Sequence, residues 1–164
     1  MLYQLVVFLH VVSVLGYLLA HGVSASVSYA IKKERDVNRV RALLDLSAAS
    51  YPAMLWTLLA VIVFGLAAAF LNMVWWKFGW VWVSILVLVA IIVLMATYGA
   101  GVFGEIRKAA GLPYMVKGKS FPAEPARRDE EVYAAISKVN PTLLLVIGYG
   151  GFAVIAWLMI AKPF

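Results

Sequence analysis

Four stretches of this chain are long enough and apolar enough to cross a lipid bilayer, and that property bounds every other reading. They run roughly Leu2 to Ile31, Met54 to Leu71, Val81 to Phe103 and Thr142 to Ala161. A spanning helix needs about 20 apolar residues at about 1.5 Å rise each, because a helix satisfies its own backbone polar groups where no water is at hand. With 65% of its 164 residues hydrophobic and 13% charged, the chain has more apolar surface than a soluble domain of this size can bury. The expectation is an all-α membrane protein, one transmembrane domain over residues 1–164. It is a four-helix up-down bundle with helices at about 2–31, 51–72, 80–104 and 141–162. The first stretch has small residues in "SASVSYA", as a cleavable signal would. No basic segment precedes it and its apolar run is too long, so it reads as a retained helix.

Charge sets the orientation. Lys32, Lys33, Arg35, Arg39 and Arg41 follow the first stretch, and seven more basic residues, from Arg107 to Lys138, follow the third. Only Lys77 and Lys162 remain for the other side, so the positive-inside bias puts both basic connections in the cytoplasm and both termini outside. The expected location is the bacterial inner membrane. The net charge of +6 then reflects a membrane surface rather than nucleic acid. "NMVWWKFGW" reads as an outer hairpin whose Trp75, Trp76, Trp80 and Trp82 form an interfacial belt.

The connections carry further signals. In "SAASYPAM", Ser50 suits a helix cap and Pro52 a first helical turn. Val37, Val40 and Leu44 recur at helical spacing beside arginines, so the first span either continues there or lies on the membrane surface as an amphipathic helix. "GLPYMVKGKSFPAEPARRDEE" concentrates glycine, proline and charge, which predicts an irregular loop before a short helix starting near Glu130.

The chemistry concentrates in "LHVVSVLGYLLAHGVSAS", which holds the only two histidines. Residues at 100° intervals put His10, Ser13, Tyr17, His21, Ser24 and Ser28 within roughly a 60° sector. Polar groups are costly against lipid, so this stripe faces the bundle interior, a partner or a cofactor. The histidines are eleven residues apart, about 16 Å along the axis, and cannot share one mononuclear ion on a straight helix.

Other chemistries lack their parts. There is no cysteine, which removes disulfides, thiolate metal sites and covalently attached haem. All eight carboxylates, Glu34, Asp36, Asp45, Glu105, Glu124, Asp129, Glu130 and Glu131, fall in the inner segments or at their edges. That weakens a proton-coupled transporter and removes the paired carboxylates of hydrolytic sites. No catalytic residue is assigned, and whether the chain is an enzyme stays open.

Histidine is a common axial haem ligand, and a four-helix bundle can enclose a porphyrin. Spans two to four contain no histidine, but Met95 comes to a depth similar to His21, which makes His21 with Met95 a candidate His/Met site. The candidate cofactor-binding residues are therefore His10, His21, Met95, Tyr17, Ser13 and Ser24, with His10 and His21 the candidate metal ligands. The cofactor expected is haem b, with copper as the alternative. Core packing for Met95 and an interhelical hydrogen bond for each histidine are the competing roles. Gly16, Ala20, Gly22, Gly99, Gly101, Gly148, Gly150 and Gly151 permit close helix packing or leave room for a macrocycle. Arg107, Lys108, Lys32 and Lys33 form a solvated inner rim, or pair with propionates, anionic lipid or another subunit.

"FLHVVSVLGYLLAHG" resembles the first helix of small bacterial membrane families related to the copper-resistance D proteins, in which an "LH" pair opens a helix before a small-residue patch. "NPTLLLVIGYGGFAVIAWLMIAKP" resembles the last span of integral membrane proteins of unknown function in that neighbourhood. The "LH" helix is also similar to that of the haem-binding, membrane-bound protoporphyrinogen oxidases, where His10 is the corresponding histidine. The chain departs from those oxidases after Gly16, lacking the tryptophan and the basic pattern along that helix. The resemblance thus implies metal or haem handling at His10 without implying the oxidase reaction.

The functional expectation is a membrane b-type haem protein in electron transfer or a redox complex. The alternatives are a non-catalytic accessory subunit of a larger membrane complex, and copper or small-solute transport. The partners expected are the lipid bilayer and a second copy or a larger membrane redox complex.

Overall fold

A computed structural model describes residues 1–116 and 118–164; Lys117, one of the seven inner basic residues, lies outside that description. Helix α1 (Leu2–Lys33) turns at Glu34–Asp36 into α2 (Val37–Leu71). A 3-10 turn at Met73–Lys77 leads to α3 (Gly79–Leu94), which continues through a wide π turn at Met95–Gly99 into α4 (Ala100–Ala109). Strands β1 (Tyr114–Val116) and β2 (Lys119–Phe121) and helix α5 (Asp129–Ser137) follow. The last span is α6 (Pro141–Leu145), a second π turn at Val146–Gly150, and α7 (Gly151–Ala161). Among the described residues, four helical runs, Leu2–Lys33, Val37–Leu71, Gly79–Ala109 and Pro141–Ala161, are long and apolar enough to cross a membrane. The chain is a multi-pass membrane protein built as a four-helix bundle.

Adjacent spans run antiparallel. His10 meets Val61, Gly16 meets Thr57 and Ser24 meets Ser47, so α2 descends along α1 as α1 climbs. Gly79 meets Phe164, Ile91 meets Gly151 and Gly99 meets Leu144, which pairs the third and fourth spans the same way. At 1.5 Å per residue the 32 residues of α1 reach about 48 Å. A hydrocarbon core is about 30 Å thick, so one end of the bundle projects beyond it. The basic end holds the most completely buried side chains: Ile31, Val40, Ile106 and Val132 are fully buried against α5 and α6. Water supplies a hydrophobic drive there. Inside the hydrocarbon it supplies none, and the spans pack instead through small residues and interhelical hydrogen bonds.

Local chemistry explains the boundaries. Asp36 caps α2 by accepting from the Asn38 backbone N–H at 2.8 Å, and Asn140 caps α6 by accepting from that of Leu143 at 3.0 Å, with Pro141 in the first turn. Gly111, at φ 75°, reverses the chain after α4 as only glycine does without strain. The outer tryptophans pack on one another, with ring centroids 5.7 Å apart for Trp75 and Trp80 and 5.3 Å for Trp76 and Trp82. The Trp75 indole N–H donates to the Tyr3 hydroxyl.

Three expectations are corrected. The second span starts at Val37, not near Ser50, and Pro52 lies well inside it. The Ser50 hydroxyl donates to the Ser47 carbonyl of the same helix, and one proline in 35 helical residues forfeits a single backbone bond that the surrounding bundle tolerates. Val37, Val40 and Leu44 are neither an extension of α1 nor a surface helix but the buried first turns of α2. Within the segment expected as an irregular loop, Tyr114–Val116 and Lys119–Phe121 pair as an antiparallel hairpin, Tyr114 with Phe121 and Met115 with Ser120, while residues 122–128 are irregular as expected. The short helix expected near Glu130 begins at Asp129, and the third span runs five residues past its expected end, to Ala109.

Candidate functional site

The polar stripe of α1 faces inward, and its members divide by what they meet. His10 Nδ1 lies 2.9 Å from the Val61 carbonyl, so that nitrogen carries the proton and donates to α2, with the ring seated against Gly65. The Ser13 hydroxyl donates back to Leu9, four residues earlier, and stays within its own helix. The Ser28 hydroxyl likewise donates to Ala25. The Ser24 hydroxyl pairs across the interface with Ser47 at 2.8 Å. These are helix-joining or helix-bending contacts.

His21 differs. It is buried, its Nε2 has no hydrogen-bond partner among the described residues, and no other buried imidazole nitrogen is in that state. Its ring lies parallel to Tyr17, 5° between planes and 5.6 Å between centroids, and tilts against Tyr149 at 5.6 Å. Tyr17 stacks in turn on Phe152 at 4.8 Å. The Tyr149 hydroxyl donates to the Leu18 carbonyl, which binds the second π turn to α1. A Cβ placed on Gly148 would overlap His21 Nε2 and come within 3.1 Å of the Met95 methyl. Glycine at 148 therefore admits both side chains to one spot.

Two π turns meet at this level. Met95 opens the first, and Gly148 stands at the centre of the second. A π turn costs hydrogen-bond geometry and occurs often at functional sites, because the extra residue redirects side chains. Here it brings a thioether and a bare backbone to the same imidazole.

Tyr17, His21, Ser24 and Met95 all line one cavity of about 380 Å³ between the spans. Small residues, Ala25, Ala48, Gly99, Ala100 and Gly104, open its walls, and Arg107 stands in its lining toward the basic end. The hairpin contributes Tyr114, Met115, Ser120 and Phe121. Four of the six candidate residues thus share one chamber, while His10 and Ser13 lie outside it. Ser47, Tyr51, Tyr149 and the hairpin residues carried no signal in the sequence. Ser47 would have emerged had α2 been traced back to Asp36, since Leu44, Ser47, Ala48, Tyr51 and Met54 recur at helical spacing.

The hairpin is anchored by polar side chains. The Tyr114 hydroxyl donates to Glu124 at 2.5 Å and Lys108 reaches the same carboxylate at 3.4 Å. The hydrogen bond from Tyr114, with the nearby Lys108 charge, lowers the Glu124 pKa, and the same hydrogen bond raises that of Tyr114. Among the described residues there is no group of three or more histidines, cysteines or carboxylates able to cage a bare metal ion. No family model, curated protein or solved structure matches this chain.

Proposed function

We propose that this membrane protein binds one haem b in the bundle cavity, with His21 as axial ligand and Met95 as the candidate second ligand, and serves electron transfer or a redox complex. The observation that carries the reading is the buried His21 Nε2, which lacks a partner where it packs on Gly148 beside Met95, both His21 and Met95 being residues of the cavity lining. An unsatisfied polar atom in hydrocarbon is costly, and a metal–nitrogen bond removes that cost. One imidazole and one thioether are too few to hold a bare ion, but they suit a metal that brings its own four macrocycle nitrogens. A bound haem supplies one-electron chemistry. The chain supplies the rest: Tyr17 and Tyr149 hold the imidazole plane, Gly148 makes room for the imidazole itself, and most of the cavity wall is apolar. His10, already bonded to Val61, joins helices in this reading. The same proposal sets the chain in a bacterial inner membrane, basic end inward and both termini outward, supported by the charge asymmetry.

Protein expressed with haem supply and purified in detergent should show a Soret band and a reduced-minus-oxidised spectrum. His21→Ala should abolish both, and His10→Ala should keep them. No Soret absorption in the wild type, or one lost only in His10→Ala, refutes the assignment; copper in stoichiometric amount with no haem favours the copper alternative.

A second reading, an accessory subunit of a larger complex, is favoured by Thr97 and Gly101, which stand one turn apart and exposed on the third span, with open space over Gly101. Small residues at this spacing let a partner helix approach closely. A cysteine at position 101, in a chain that otherwise has none, should cross-link to a partner in native membranes if this reading holds.

A further inference from the structure

Arg107 lies in the last turn of α4, on the cavity lining, with only 15% of its side chain exposed. A guanidinium has five N–H donors. Among the described residues three of them are committed: Nε to the Pro113 carbonyl at 2.6 Å, Nη1 to the Leu44 carbonyl at 2.9 Å and Nη2 to Asp45 at 3.1 Å. The hairpin approach and α2 thus hold the group from two sides, and one hydrogen on each Nη is left over. Asp45, its one charged partner, is 59% exposed and largely answered by solvent, whereas the guanidinium is not. Glu124, on the segment after the hairpin, is taken by Tyr114 and Lys108.

Met95 and Arg107 are twelve residues apart, about 18 Å along the span. The cavity they both line is therefore apolar toward one end and carries a held cation toward the other. Resting on the reading of this cavity as a ligand site, we propose that Arg107 is an anion subsite and that the cavity takes an amphipathic carboxylate, its apolar body against Tyr17, His21 and Met95 and its carboxylate on the two spare guanidinium donors. Charge-assisted bonds of this kind are strong where water is scarce, and a rigid fork held in advance loses little entropy on binding.

The test uses the full chain in phosphatidylcholine nanodiscs free of anionic lipid, so that no lipid headgroup supplies the carboxylate or a phosphate. Iron-free protoporphyrin IX and its dimethyl ester are titrated by fluorescence. The diacid should bind about tenfold or more tighter than the diester. Arg107→Gln should erase that preference. Asp45→Asn, a change at an exposed residue whose amide oxygen still accepts from Nη2, should widen it by removing a competing negative charge. Equal binding of diacid and diester to the wild type, or a preference that Asp45→Asn narrows, overturns the anion subsite, as does binding of neither porphyrin. Because these probes carry no iron, the result is separate from the haem assignment: a haemin spectrum indifferent to His21→Ala sinks the axial ligand while the acid-to-ester ratio still decides Arg107.

Discussion

Replacing each histidine by leucine should move the stability of the ligand-free protein in opposite directions. His21→Leu removes a buried nitrogen that has no partner, and such an atom costs about 1–3 kcal/mol. The substitution also forfeits the parallel stack on Tyr17, worth about 0.5–1.5 kcal/mol. The balance is a stabilisation centred near 1 kcal/mol. His10→Leu removes the 2.9 Å bond to Val61 and no orphan, and an interhelical hydrogen bond in a bilayer is worth about 0.6 kcal/mol, up to about 1.7. That variant should therefore lose about 1 kcal/mol, leaving the two roughly 2 kcal/mol apart. Reversible unfolding in mixed micelles of increasing dodecyl sulfate fraction, followed by far-UV circular dichroism, measures both on haem-free protein. If His21→Leu destabilises as much as His10→Leu, the unpartnered nitrogen is not a stored cost, and the argument that it awaits a ligand fails.

Three further outcomes follow from the packing. Gly148→Ala should cost about 1–3 kcal/mol by overpacking and displace His21 and Met95, measured by the same unfolding series and by loss of any haem spectrum. Ile106→Ala, at a fully buried position of the inner core, should cost about 2–5 kcal/mol, more than truncation of the lipid-exposed Leu86. The hairpin should loosen at both pH extremes. The lowered Glu124 pKa gives stability present above its ordinary value of 4.5 and lost as pH falls through the folded pKa; the raised Tyr114 pKa gives stability lost as pH rises above 10.0. Amide exchange at Met115 and Ser120 should follow both limbs, and Tyr114→Phe should flatten them.

The parts of the fold that were legible in the sequence share a cause: each signal lay within a few residues of its effect. Asn140 and Pro141 announce the start of α6, and Asp129 to Glu131 favour the first turn of α5 through the helix dipole. The start of α2 was misread because Ser50 and Pro52 offer a local cap that the packing of Val40 and Leu44 against Ile106 overrides. The hairpin was missed because "YMV" and "KSF" are three residues each, too short for an alternating pattern. The stripe on α1 was visible, yet nothing local separates His10 from His21. One meets a carbonyl of α2 and the other meets a glycine of the last span.

The sequence by itself determined that this chain crosses a membrane four times and that one face of α1 carries a polar stripe with both histidines. Hydropathy and helical periodicity depend only on residue order, and the bilayer enforces them on each span separately. The tertiary structure alone decided which polar atoms are spent and which are left over. Val61 satisfies His10, Ser47 pairs with Ser24, and three acceptors from two segments hold Arg107. His21 Nε2 stays unpartnered because two π turns, more than fifty residues apart in the chain, set Met95 and Gly148 against it, and no residue near His21 in sequence carries information about either.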